Sequence, residues 1–272
     1  MREHRMNEQE RWDRAAVDYQ RVYDLGLSEY NTALLRFWQE KGMIFPGCRV
    51  LDIGCGVGRY GSYLAALGCE VTLTDISGEM LRCARENMAG ADMPWTAYQC
   101  DFHEATGREP VFAGGFDLVI STMSPAVCDA ATVRKMSSLS RGYCFLARFR
   151  AWEQPFRDQL MREMGLEPRR AFGDLKADCE GMLRAVREAG YSPEIRQVDY
   201  NWADARTPEQ MADYLMRNYF PEEENRDQLY AQALRLSEKL AGSNGTVTDA
   251  VDTKVAWIWW DNNRNLIGIG KT

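Results

Sequence analysis

The sequence predicts an α/β fold: a doubly wound parallel sheet with helices on both faces, preceded by a helical segment and interrupted in its second half by helical insertions. Two observations carry that expectation. Short apolar runs of strand character alternate with segments of helical period, the pattern of successive βαβ units. The first run, Arg49-Val-Leu-Asp-Ile53, opens into the glycine turn Gly54-Cys-Gly-Val-Gly58, from which a helix departs.

In chain order, residues 8 to 41 read as helical. Trp12, Ala15, Ala16, Tyr19, Val22 and Tyr23 fall at helical spacing, and Leu34, Leu35, Phe37 and Trp38 begin a second apolar face before Pro46-Gly47 breaks the pattern. After the strand at 49–53, a helix runs from about Gly58 to Leu67, and Gly68 suits its left-handed cap. A second strand covers 70–74, and Ser77 caps a helix that turns Met80, Leu81, Ala84 and Met88 inward. Strands follow at 95–100, 116–120 and 143–147, with a helix between the last two and right-handed crossovers throughout. After Phe149 the alternation loosens. Asp174 caps a helix that ends at Gly190, and 194–201 reads as a sixth strand. Thr207-Pro-Glu-Gln210 is a capping box with proline at the first helical position; Leu229, Ala233, Leu236 and Leu240 mark another helix, and 255–260 is the final strand. Three segments result: a helical lid at 1–45, a ligand-binding core at 46–150, and a C-terminal half at 151–272 whose helical stretches, 151–172 and 206–242, are expected on the substrate side.

The bulk numbers exclude several classes. A net charge of −7 and a pI near 5.1 lack the basic footprint of a nucleic-acid binder, and Arg169-Arg170 reads as a solvated turn. No apolar run is long enough to span a bilayer, and the charged start, Met1 to Glu10 with His4 in it, lacks the apolar core of a signal peptide; a cytoplasmic protein is expected. Eight cysteines are dispersed without C-x-x-C spacing, which predicts reduced, mostly buried thiols and no metal site.

Chemistry concentrates in the glycine turn. Glycines there admit a ligand close to the backbone, and the helix that follows offers free N–H groups. Gly56, Gly58 and Gly61 match the Gly-x-Gly-x-x-Gly of nicotinamide and flavin sites, but that match ignores Asp52 and starts two residues late. An acid just before the turn repels a pyrophosphate and suits an ammonium group. S-adenosylmethionine brings an ammonium, a sulfonium and no phosphate, so the local charge favours it. Asp75, at the end of the second strand, is placed to accept both ribose hydroxyls. Asp101, after the third, is placed to receive the adenine amino group, with Phe102 stacking on the base. These acids line one edge of the sheet, where ligands of open α/β sheets bind.

Val50-Leu-Asp-Ile-Gly-Cys-Gly-Val-Gly58 resembles the first motif of class I S-adenosylmethionine-dependent methyltransferases. Thr74-Asp-Ile-Ser77 resembles their second motif, Asp101 matches their adenine-side acid, and Phe116-Asp-Leu-Val-Ile-Ser121 resembles the strand bordering the transfer site. The resemblance covers residues 45 to 150 well and the rest loosely. It implies a Rossmann-like, seven-stranded sheet whose last strand is antiparallel. It also implies a cofactor held by Asp52, Gly54, Cys55, Gly56, Gly58, Asp75, Ile76, Asp101, Phe102 and Ser121.

Methyl transfer from a sulfonium is an in-line displacement, which needs alignment and exclusion of water more than a fixed catalytic motif. The candidate region is Ser121-Thr-Met-Ser-Pro-Ala-Val127. Enzymes that methylate nucleic-acid bases often carry two prolines and an aromatic there; Ser124-Pro125-Ala126-Val127 has one proline and no aromatic, which points to a small-molecule acceptor. His103, as a base, Ser124 and Tyr19 are the candidate catalytic residues, and Tyr19 with Trp12 also suits a helical lid over the cofactor. Trp152, Phe156, Met211, Tyr214, Tyr219 and Tyr230 suit an apolar acceptor pocket, the insertion's own core or a homodimer face. A nicotinamide-dependent oxidoreductase and a non-catalytic adenosyl-ligand binder are the alternatives.

Overall fold

In the computed structural model, residues 7–169, 173–220 and 223–263 are described; His4 and Arg170 lie outside them. The chain divides into two compact units. Unit 1 comprises Met1–Arg148, Cys179–Arg196 and Ala256–Thr272, and unit 2 comprises Phe149–Asp178 and Gln197–Val255. The elements in chain order are α1 (Glu8–Asp24), α2 (Glu29–Glu40), β1 (Arg49–Ile53), α3 (Arg59–Ala66), β2 (Glu70–Asp75), α4 (Gly78–Met88), β3 (Trp95–Gln99), β4 (Phe116–Thr122), α5 (Ala130–Leu139), β5 (Ser140–Glu153), α6 (Pro155–Glu163), α7 (Leu175–Glu188), β6 (Glu194–Asp199), β7 (Trp202–Arg206), α8 (Pro208–Tyr219), α9 (Arg226–Leu240) and β8 (Val247–Asp261).

Unit 1 is the doubly wound part. The strand order is β3-β2-β1-β4-β5-β8-β6, with β3, β2, β1, β4 and β5 mutually parallel and the last strands antiparallel. The central strands are apolar nearly throughout: Val50, Leu51, Ile53, Leu73, Leu118, Val119, Ile120, Phe145 and Leu146 are fully buried, as a sheet covered on both faces requires. The helices begin where the capping residues foretold. Ser77 Oγ accepts the Met80 N–H (3.0 Å), and Gly68, at φ +85°, ends the helix before β2. The long N-terminal helical run is broken once. Gly26 takes φ +82° and Ser28 recaps the chain by accepting the Asn31 N–H at 3.2 Å.

The sheet carries one strand more than the seven expected. The run over 194–201 ends as a strand at Asp199. The Asn201 side chain accepts the Thr253 N–H at 2.9 Å, and residues 202–206 then form β7, antiparallel to the first part of β8 from Trp202↔Val251 to Arg206↔Val247. Strands β5 and β8 are also far longer than the five or six residues their apolar centres suggested.

Unit 2 holds α6, α8 and α9 around Leu160, Met161, Met211, Leu215, Met216 and Phe220. Its polar interior is unusual. Asp249, fully buried, accepts from Gln154 Nε2 (2.7 Å) and Arg206 Nε (3.3 Å), while the Arg206 guanidinium stacks 4.4 Å from the Tyr214 ring centre. Among the described residues no helix is long and apolar enough to cross a membrane. All eight cysteines are free thiols, and Cys128 alone is exposed.

Candidate functional site

The site grows from the end of β1. Asp52 pairs in register with Leu73 of β2 and Ile120 of β4, so its side chain is enclosed from both sides and is 1% exposed. The chain then leaves the sheet through Gly54 (φ +69°), Gly56 (φ +56°) and Gly58 (φ +75°), a left-handed sequence that side chains resist. The Gly54 and Cys55 N–H groups both donate to Thr74 O, at 2.8 and 3.0 Å, which lashes the turn to the end of β2. Glycine at 54 is also a steric necessity: a Cβ there would stand 1.9 Å from Ser124 Oγ and 2.7 Å from Ser124 Cβ. At Gly58 the nearest atom would be Ala84 Cβ, at 3.0 Å.

Asp75 closes the other side. Its Oδ2 accepts the Gly56 N–H and its Oδ1 the Ser77 N–H, both at 2.9 Å. Burial raises its pKa, against the pull of those N–H groups, and the nearby Asp13 carboxylate raises it further. Asp52 is more extreme. Burial first, and the charge of Asp75 second, lift it to about 8. Neither of its carboxylate oxygens has a hydrogen-bond partner, although both are buried. A buried polar group without a partner is costly, so this pair of oxygens is a candidate acceptor for a donor on a ligand. Cys55, buried beside the two acids, has its thiol pushed up by burial and then by Asp75 and Asp52. The Ser121 hydroxyl, at the end of β4, is likewise buried and unpartnered.

Farther along the same edge, Ile76, Gln99 and Asp101 line a cleft of about 370 Å³ together with Asn7, Glu8 and Gln9 from the start of α1. Asp101 Oδ1 accepts the His103 N–H at 2.8 Å and leaves Oδ2 for a ligand. Helix α1 reaches this edge because it docks on α4. Asp13 accepts from Ser77 Oγ (2.6 Å) and the Glu79 N–H (3.2 Å), and Ala16 packs with Val57, Met80 and Cys83. Tyr19 follows from that docking. It makes an edge contact with Trp12, and its ring lies 3.9 Å from where a Gly56 Cβ would be, while the residue stays 45% exposed.

The structure therefore gathers Asp52, Gly54, Cys55, Gly56, Gly58, Asp75 and Tyr19 around one turn, with Ile76 and Asp101 in the adjoining cleft. Ser124 joins them through its contact at Gly54, its Oγ accepting the Ala126 N–H at 3.3 Å in the turn after β4. Phe102 does not join them. It is 3% exposed and packs in the core with Phe112 and Val133, because Lys135 anchors the loop by donating to Phe102 O (2.7 Å) and His103 O (2.9 Å). His103 is exposed, its ring 4.0 Å from Cys128 Sγ. Sequence reasoning missed Asp13 and the N-terminal cap at Asn7. Both read as ordinary charged or polar positions of an amphipathic helix, and only the docking of α1 gives them a role.

Residues 50–141 match the family model described as a methyltransferase domain. Over those residues, about a third of the chain, the protein is similar to a methyltransferase domain. The malonyl-[acyl-carrier protein] O-methyltransferase of Enterobacter lignolyticus is 38% identical over 82 residues, 30% of this chain and 30% of that protein. The ubiquinone biosynthesis O-methyltransferase of Aromatoleum aromaticum is 36% identical over 84 residues, 30% of this chain and 34% of that protein. The chain thus spans about a third of the length of the curated relatives it matches. Among solved structures, an S-adenosylmethionine-dependent methyltransferase from Geobacter sulfurreducens, in complex with S-adenosylhomocysteine, is 16% identical with a TM-score of 0.48, covering 85% of this chain and 91% of that one.

Proposed function

We propose that the protein is an S-adenosylmethionine-dependent methyltransferase that acts on a small-molecule acceptor. The observation that carries the reading is the Asp52 carboxylate, buried and unpartnered at the mouth of a glycine turn. An ammonium group is the donor that turns this cost into a charge-assisted contact. Asp75 stands ready for vicinal hydroxyls, since its two oxygens are already oriented by the Gly56 and Ser77 N–H groups. Asp101 Oδ2, in the neighbouring cleft, suits an exocyclic amine. When bound, S-adenosylmethionine supplies an electrophilic methyl group on its sulfonium. The residues of the chain hold the cofactor, and Tyr19 and the post-β4 turn at Ser124 shield it from water.

Several observations support the finer points. The O-methyltransferase names among the relatives favour an oxygen acceptor. The net charge of −7 disfavours nucleic acid. A nicotinamide cofactor would bring its pyrophosphate toward Asp52 and Asp75, the two acids at this turn. We place the protein in the cytoplasm, in line with its free thiols. The test is release of S-adenosylhomocysteine, followed by mass spectrometry, from protein incubated with S-adenosylmethionine and a panel of small phenols, carboxylic acids and amines. Turnover with one class, abolished in Gly54→Ala, is expected. Equal, slow release with every compound and with none would refute the assignment.

A further inference from the structure

Arg148 is the one described group of the post-β4 region whose charge is unexplained. It follows the β5 residues Leu146 and Ala147, which pair with Ser121 and Thr122 of β4, so it stands at the carboxyl edge of the sheet next to the proposed transfer site. Its Nη1 donates to Ser121 O (3.3 Å) and Ala147 O (2.9 Å), and its Nη2 to Val127 O (2.6 Å). The bonds to Ser121 O and Val127 O tie both ends of the segment 121–127 to β5. They are neutral contacts. No carboxylate among the described residues lies within ion-pair distance of this guanidinium, in a chain with an excess of acids. Burial accordingly pulls its pKa down, to about 10, and the groups that oppose this are the sulfurs of Cys179 and Cys128, not a carboxylate. A guanidinium has five N–H donors. Three are used, which leaves the Nε–H and one Nη2–H.

A set-in cation without a counter-ion is costly, and the cost falls when an anion completes it. Lysine would hold the same charge, but it could not clamp three carbonyls and still offer two fixed donors. We infer that Arg148 is a specificity-determining residue for an acceptor bearing a carboxylate, which it receives through the two N–H groups the clamp leaves over. The inference rests on the methyltransferase reading and deepens it, by naming a chemical class for the acceptor. The same clamp positions Ser124, so recognition of the anion and placement of the turn against Gly54 depend on one side chain.

The test uses the full chain saturated with S-adenosylhomocysteine and two probes of the same shape, 4-fluorobenzoate and 4-fluorobenzyl alcohol, followed by fluorine NMR. The account predicts at least a tenfold preference for the carboxylate probe, and a shift of one arginine Nε–H resonance in protein carrying 15N-labelled arginine. Arg148→Lys removes that resonance and cuts the preference several-fold, while S-adenosylhomocysteine affinity stays within about twofold. Arg148→Met abolishes the preference. Equal binding of both probes, binding of neither, or an unchanged preference in Arg148→Lys would overturn the inference. So would a large loss of S-adenosylhomocysteine affinity in Arg148→Lys, which would assign the guanidinium to the cofactor. Failure of the wild-type protein to bind S-adenosylhomocysteine at all is a separate result, and it would instead remove the methyltransferase reading.

Discussion

Replacing Asp52 by Asn isolates the central electrostatic feature. The folded pKa of Asp52 is about 8, above the value of about 4 for an unfolded chain. The native apo-protein therefore holds a proton that the unfolded chain gives up. That contribution is complete below about pH 4 and is lost as the pH rises through about 8. At about 1.4 kcal/mol per pH unit, the native state forgoes up to about 4 kcal/mol by pH 7. Asparagine does not titrate, so the Asp52→Asn apo-protein is expected to gain stability over wild type as the pH rises from 5 to 8, the gap widening with pH. Ligand binding reverses the comparison. With a pKa of about 8, about 0.9 of the Asp52 carboxyls are protonated at pH 7, and an incoming ammonium requires the anion. Wild type should release close to one proton per S-adenosylhomocysteine bound at pH 7, seen by titration calorimetry in buffers of different ionisation enthalpy. The variant should release none and bind at least roughly tenfold more weakly, the worth of a hydrogen bond to a charged group. Binding by wild type without proton release, or equal affinity in the variant, would refute the reasoning.

Other substitutions separate the parts of the site. Gly54→Ala forces a Cβ onto Ser124 at 1.9 Å as well as straining φ, whereas Gly56→Ala meets nothing closer than 3.9 Å. Thermal melts should show the first losing several kcal/mol and the second only about 1–2. Asp13→Ala removes the acceptor for Ser77 and Glu79 and should cost about 1 kcal/mol, with faster amide exchange in α1 and at the Glu79 N–H. His103→Ala should leave S-adenosylhomocysteine affinity within about twofold in a binding titration, since the ring is exposed and lies 4.0 Å from Cys128 Sγ. Arg206→Met leaves Asp249 buried without its cation, and should destabilise unit 2 by about 3–5 kcal/mol in urea unfolding followed by tryptophan fluorescence.

Local signals explain which features the sequence disclosed. The glycine turn, the Ser77 and Thr207 caps and the Gly68 stop are each set by two to four neighbouring residues, so spacing alone locates them. The core strands are buried on both faces and read as continuous apolar runs. Strand β7 was hidden because Trp202-Ala-Asp-Ala-Arg206 alternates small and charged residues and depends on the first half of β8 for its ladder. The extra length of β5 and β8 was hidden for the same reason: their outer portions carry polar residues, among them Arg148, Arg150 and Asp252, that single-sequence periodicity assigns to loops. Phe102 follows the candidate site acid Asp101, but its direction is decided by Lys135, 33 residues away, which no local pattern reports. The docking of α1 through Asp13 is equally non-local, 64 residues from Ser77.

The most direct measurement is calorimetric titration of the purified protein with S-adenosylmethionine, S-adenosylhomocysteine and a reduced nicotinamide cofactor. Micromolar binding of the two adenosyl ligands, lost in Gly54→Ala and with no heat from the nicotinamide, is the expected result. Binding of the nicotinamide in their place would contradict the role assigned to Asp52 and, with it, the function.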